Sequence, residues 1–267
     1  ATLRGLQAGG GIDVHADEVV MTPGAKPIMF FAILALVNEG DEVIYPNPGF
    51  PIYESMIKFV GGTPVPIKLE ESMSFAFNIE NFKKLITPKT KMIIINSPHN
   101  PTGAVLMKED MDELRSIVRD TNIFICSDEV YEHLIFDNIP HQSILRYPDL
   151  VERSFVCFSF GKVYHCTGWK LGYCVSSPEL MKEFRKVHQF NCFSCNAPQQ
   201  VALSKFLSDK ASFLSLPSFM QQKRDYFISL MQPTKFKLLD SKGSYFICGN
   251  YKDISNEGDK DFSIRIT

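Results

Sequence analysis

The sequence predicts an α/β domain built on a mainly parallel sheet, and three observations carry that expectation. Short apolar runs of strand length alternate with longer helical patterns over most of the chain. The strand-like runs are nearly continuous in apolar residues, as in strands covered on both faces. Polar segments bearing glycine and proline follow several of these runs, where parallel sheets gather ligand groups.

In chain order, the first strand is expected at 18–21, followed by a helix over 27–38 that opens on Pro27, a residue compatible with a helix N-terminus. A strand at 42–45, a helix at 50–60 and a strand at 63–67 follow, then a helix at 79–86 and a strand at 92–96. The helix at 108–120 leads to strands at 124–127 and 154–158, which hold Cys126 and Cys157 inside apolar runs. A strand at 172–175 and a helix at 178–190 complete the alternation. From about Leu207 the pattern changes to a long helix over 216–231 and a strand-like 243–249. The expected division is a large domain over 1–206 and, over 207–267, a linker helix with part of a smaller C-terminal domain. Leu3 to Leu6 reads as the tail of a helix, and the polar end from Asn250 stops at Arg265-Ile266-Thr267 without a helix stop signal, so the chain is expected to be cut within a domain at both ends.

Composition fits a soluble globular protein: 45% hydrophobic and 22% charged among 267 residues. A net charge of -2 gives no reason to expect nucleic acid or acidic lipid as a partner. The mixed charges from Lys182 to Lys186 read as a solvated helix face. The longest apolar run, Ile28 to Val37, is too short to span a bilayer, and no signal-peptide pattern opens the sequence, so a cytoplasmic setting is expected. The seven cysteines are read as buried or idle thiols rather than a disulfide framework. Cys192 and Cys195 form a C-x-x-C, but no second pair completes a zinc site, and no metal is assigned.

Four segments at strand ends carry candidate chemistry. Thr22-Pro23-Gly24-Ala25-Lys26-Pro27 lies between a strand and a helix, where free N–H groups suit an anion; a plain turn is the alternative. Asn96-Ser97-Pro98-His99-Asn100-Pro101-Thr102-Gly103 is a polar loop after an apolar strand, and by itself only a turn signal. Cys126-Ser127-Asp128-Glu129-Val130-Tyr131 ends a buried strand on a carboxylate, which needs a cation or strong donor unless it caps a helix. Ser159-Phe160-Gly161-Lys162 places a lysine in a glycine-flanked loop, with Lys170 a second cation nearby. An amine beside another cation and partly removed from water becomes a better nucleophile. Together the four match what a pyridine-ring phosphate cofactor requires: anion donors, a carboxylate for the ring nitrogen, partners for the ring hydroxyl and an amine for the aldehyde.

The series N-P-T-G, S-D-E-x-Y, S-x-x-K and T-G-W-K-x-G-Y resembles the fold-type I, class I/II aminotransferases over nearly the whole chain. The resemblance implies a three-layer α/β/α large domain with a mainly parallel seven-stranded sheet and pyridoxal 5'-phosphate as cofactor. It makes Lys162 the Schiff-base lysine and the proton carrier of the reaction. Asp128 would pair with the ring nitrogen, and Asn100 and Tyr131 with the ring 3′-oxygen. The backbone of Gly24, Ala25 and Lys26, with Ser159 and Lys170, would hold the phosphate, and Phe50 would stack on the ring. Many relatives carry arginine where Lys170 stands; lysine keeps the charge without the bidentate fork.

The region from Ser159 to Tyr173, with Val187-His188-Gln189 and Asn196-Ala197-Pro198-Gln199, is similar to methionine and kynurenine/glutamine aminotransferases, whereas the first third is closer to bacterial aspartate-type enzymes. The resemblance thus implies an L-amino acid and a 2-oxo acid as substrates, methionine or aromatic type favoured, and a homodimer. It also implies an upstream tyrosine and a C-terminal arginine, both expected outside this chain; Arg265 is too early for the latter. A carbon–sulfur β-lyase of the same fold, or a cofactor-binding fragment without turnover, remain alternatives. The S-x-x-K of penicillin-binding acyl-transferases is disfavoured, since neither S-D-N nor K-T-G occurs.

Overall fold

The computed structural model describes residues 14–76 and 79–267. Leu3 to Leu6, read as a helix tail, lie outside them. The described chain alternates strands and helices: β1 Val19–Thr22, α1 Lys26–Leu36, β2 Glu42–Asn47, α2 Ile52–Phe59, β3 Thr63–Lys68, α3 Ile79–Leu85 and β4 Thr90–Asn96. It continues through α4 Lys108–Val118, β5 Phe124–Asp128, α5 Pro148–Val151, β6 Ser154–Ser159, α6 Phe160–Val163, β7 Gly172–Val175 and α7 Pro178–Asn191. After these come α8 Ala197–Phe206, α9 Ala211–Leu214, α10 Leu216–Met231, β8 Lys237–Leu238, β9 Gly249–Asn250 and α11 Asp259–Ile266.

Strands β1 to β7 form one sheet in the order β1-β7-β6-β5-β4-β2-β3. Neighbours from β6 through β5, β4 and β2 to β3 run parallel, while β7 is antiparallel to both β6 and β1. The seven-stranded, mainly parallel expectation holds. Edge strand β3 tolerates Pro64 and Pro66 because, among the described strands, its outer side has no ladder to break.

Continuous apolar strands feed two cores, since successive side chains point to opposite faces. Ile44, Ile93, Ile125, Val156 and Tyr173 pack on one face with Met111 and Leu114 of α4. Val43, Met92, Ile94, Cys126, Phe155, Cys157 and Cys174 pack on the other, with Phe31 of α1 and Phe184 of α7. All seven cysteines are free, and Cys126, Cys157 and Cys174 are buried, as expected. Among the described residues no helix is long and apolar enough to cross a membrane.

The C-terminal part departs from expectation. The strand-like 243–249 is not a strand: Gly243 makes an isolated bridge to Ile135, and regular pairing resumes only at Gly249, which faces Leu238. The aromatic residues between them pack over the site below instead of joining a sheet. Arg265 sits on α11 and pairs with exposed Glu257.

Candidate active site

Because β7 runs against its neighbours, the residues before it reach the same sheet edge as the residues after β1, β4, β5 and β6. At that edge lies a cavity of about 570 Å³ whose walls include Gly24, Ala25, Lys26, Phe50, Asn100, Asp128, Tyr131, Ser159, Lys162 and Lys170. Every site residue expected from the sequence therefore reaches one cavity, from six separate segments.

Asp128 ends β5 and is 3% exposed. It caps no helix. The Tyr53 hydroxyl donates to its Oδ2 at 2.6 Å, and the Val130 amide to its Oδ1 at 3.3 Å. Burial pushes the carboxyl pKa up to about 6; these two donors and Lys162 pull it down, and Glu129 adds to the rise. Tyr53 is held well above the ordinary tyrosine range by its own burial and by Asp128, so its hydroxyl remains a donor. The sequence reading missed Tyr53. Its signal was available: it lies three positions after Phe50, one helical turn along the same segment.

The N-P-T-G loop is pinned by Asn96, also missed. Its Nδ2 donates to the Asp128 carbonyl at 2.9 Å, and its Oδ1 accepts from the Asn100 amide at 2.8 Å. One side chain thus fixes the spacing between Asn100 and the end of β5. The Tyr131 phenol is held far above its usual range by burial, then by Tyr245 and Asp128, against the pull of the Asn100 side chain.

Lys162 is carried by α6, one short turn after β6. Its Nζ donates to the Tyr245 hydroxyl at 2.8 Å and lies 5.6 Å and 5.5 Å from the ring centres of Tyr131 and Tyr245. Tyr245 comes from the segment misread as a strand. A β-carbon on Gly243 would stand 2.7 Å from the Pro98 side chain and 2.8 Å from the Leu134 carbonyl, so the glycine permits that segment to lie against the site.

Opposite the lysine, the chain turns from β1 into α1. Gly24 has φ 88°, and its amide folds back onto the Thr22 carbonyl at 2.8 Å. Gly24 therefore shapes the turn, while Ala25 and Lys26, at the start of α1, present the N–H groups that no helical carbonyl takes up. Ser159 precedes α6 as its cap residue, yet its hydroxyl makes no capping bond. Lys170 adopts a left-handed φ of 53°, uncommon for a residue with a β-carbon, two residues before β7. Phe50 forms the remaining wall, with Lys26 Nζ 5.4 Å from its ring centre.

A phosphate-bearing pyridine aldehyde fits this donor set: a cradle of amides, a hydroxyl and a cation at one end, a buried carboxylate, and an amine. The cavity is also of a size that holds a small cofactor. The sheet order and this combination of groups define the fold-type I class of pyridoxal-phosphate proteins. The chain belongs to the aminotransferase class I and II family, which it matches over residues 1–267. Members of that family use pyridoxal phosphate.

The chain is 38% identical over 254 residues to the methionine aminotransferase of Escherichia coli strain K12, covering 94% of this chain and 66% of that protein. It is 33% identical over 258 residues to kynurenine–oxoglutarate transaminase 1 of Rattus norvegicus, covering 90% of this chain and 61% of the relative. Among solved structures, the N-succinyldiaminopimelate aminotransferase of Mycobacterium tuberculosis superposes with a TM-score of 0.92 at 31% identity, over 96% of this chain and 67% of that one. The E. coli methionine aminotransferase gives 0.91 at 38% identity, over 94% and 67%. The chain thus spans less than two thirds of the length of these curated relatives.

Proposed function

We propose that this chain is the cofactor-binding part of a pyridoxal-phosphate-dependent aminotransferase that moves an amino group between an L-amino acid and a 2-oxo acid. The observation that carries the reading is the single cavity where Lys162, Asp128, Asn100 and Tyr131 meet the cradle of Ala25, Lys26, Ser159 and Lys170. When bound, the cofactor supplies an aldehyde to join the amine and a conjugated ring to accept electrons.

The protein's own groups do the rest. Lys162 offers the amine and, from its place between two phenol rings, moves the proton at the substrate carbon. Asp128, held by Tyr53, presents a carboxylate to the ring nitrogen and favours its protonated form. Asn100 and Tyr131 donate to the ring oxygen, Phe50 covers the ring face, and the cradle fixes the phosphate.

Similarity to the methionine and kynurenine enzymes favours a methionine, aromatic or kynurenine/glutamine-type donor. An aspartate-type enzyme remains the second reading, supported by aspartate aminotransferase relatives at 32% identity. In this reading 1–206 is the large domain and 207–267 a linker helix with part of the small domain; the enzyme is a cytoplasmic homodimer.

Borohydride treatment of the cofactor-loaded protein should leave the cofactor fixed on Lys162, as mapped by peptide mass spectrometry, and Lys162→Ala should abolish both label and turnover. A label on another lysine overturns the site. Keto-acid formation from methionine, without pyruvate release from cysteine conjugates, separates transamination from β-elimination. Sedimentation tests the dimer.

A further inference from the structure

At the carboxyl end of α7, a ring nitrogen of His188 and the sulfurs of Cys192 and Cys195 all lie within 4.8 Å of one another. The geometry points to a metal site formed by His188, Cys192 and Cys195 that takes a thiophilic divalent cation such as Zn²⁺.

Local structure builds this cluster. His188 and Cys192 are four residues apart and share a face of the helix. Phe193 then adopts a left-handed φ of 61°, and the amides of Cys192 and Phe193 both donate to the His188 carbonyl at 2.9 Å. This helix ending turns the chain back, so Cys195 returns to the sulfur of Cys192. The Asn196 side chain accepts from the Gln199 amide at 3.0 Å, and Gln200 Nε2 donates to the Cys195 carbonyl at 3.2 Å, which holds the returning loop to the start of α8.

The two sulfurs stand 3.9 Å apart. Two Zn–S bonds of about 2.3 Å at a tetrahedral angle place their sulfurs about 3.8 Å apart. A disulfide needs about 2.05 Å. The spacing, which in the metal-free chain is that of an S–H···S hydrogen bond, also suits two thiolates on one ion.

His188 is set up as the third ligand. Its Nε2, buried from solvent, has no hydrogen-bond partner among the described residues. A buried ring nitrogen without a partner is free to offer its lone pair to a cation. A thiol ligates Zn²⁺ only as its thiolate. Binding is therefore an exchange: Zn²⁺ replaces two thiol protons, which leave to solvent, and a water fills the fourth position. Cys195 Sγ also contacts the Met21 carbonyl at 3.4 Å, so the ion would tie the α7–α8 connection to β1.

The test uses Zn²⁺ alone and no activity readout. Protein equilibrated with Zn²⁺ and dialysed should retain about one zinc per chain, and zinc-edge X-ray absorption should show two sulfurs at about 2.3 Å with nitrogen or oxygen at about 2.0–2.1 Å. Cys192→Ser with Cys195→Ser should lose the sulfur shell and the retained zinc, and His188→Gln should weaken binding with both thiols in place. A shell of nitrogen and oxygen only, or equal zinc retention by the double variant, overturns the assignment. The wild-type absorption spectrum decides the matter even where a variant fails to fold, and it does so whether or not the cofactor reading holds.

Discussion

Asp128 carries the most informative consequences at the scale of single residues. An unfolded aspartate titrates near 3.9, and burial moves the folded group to about 6. Its stabilising contribution is thus fully present below pH about 4 and is lost as pH rises through about 6. In cofactor-free protein, Asp128→Asn should match wild type near pH 4 and exceed it at pH 7 by on the order of 2–3 kcal/mol in urea unfolding, while losing turnover. Equal stability offsets at both pH values would reject the burial account. Tyr53→Phe removes a donor that lowers the Asp128 pKa, so the acid limb of the activity profile should move to higher pH. Loss of a hydrogen bond to a charged group predicts kcat/KM lower by roughly ten- to a hundredfold; an unshifted pH profile would reduce Tyr53 to packing. Asp128 was legible in the sequence because a carboxylate closing an apolar strand is anomalous. Asn96 was not, because an asparagine at a strand end is ordinary until its partners are known, and Tyr53 showed only through its spacing from Phe50.

At the scale of elements, the strands and the helices between them were legible because both of their faces are buried, so apolar continuity and helical periodicity were strong. The residues 243–249 carry the same apolar signal for another reason: Tyr245 and Phe246 pack on Tyr131 across the site. Periodicity records burial and is silent about which partner does the burying. Antiparallel β7 was equally hidden, although the site depends on it. Gly172, its first residue, has no room for a side chain: a β-carbon would stand 2.7 Å from the Phe158 carbonyl oxygen and 2.9 Å from the Gly24 carbonyl carbon. Gly172→Ala should therefore displace the cradle, costing about 1–3 kcal/mol of stability and weakening cofactor affinity more than it changes Lys162 reactivity. Calorimetric titration with pyridoxal phosphate beside a thermal melt separates these effects, and unchanged affinity would show that the cradle tolerates the push.

For the whole molecule, cofactor binding and folding are linked. Pyridoxal phosphate at a hundredfold its Kd should add about 2.7 kcal/mol, which in a chain of this size raises Tm by roughly 5–10 °C. Lys162→Ala should show a smaller shift, and a wild-type Tm that ignores the cofactor would sink the proposed function. The proposed anion cradle follows β1, which among the described strands pairs with β7 alone. Val19 pairs with Val175, at the far side of the doubly covered sheet in chain order. During synthesis, then, Val19 emerges more than 150 residues ahead of Val175, so the proposed phosphate cradle has no seat until β7 follows. A nascent chain can form the Asp128 and Asn100 ends of its strands long before it can hold a phosphate. Competence for the cofactor arrives late, as a step separate from the growth of the core, and a ribosome-arrest series would place it after residue 175.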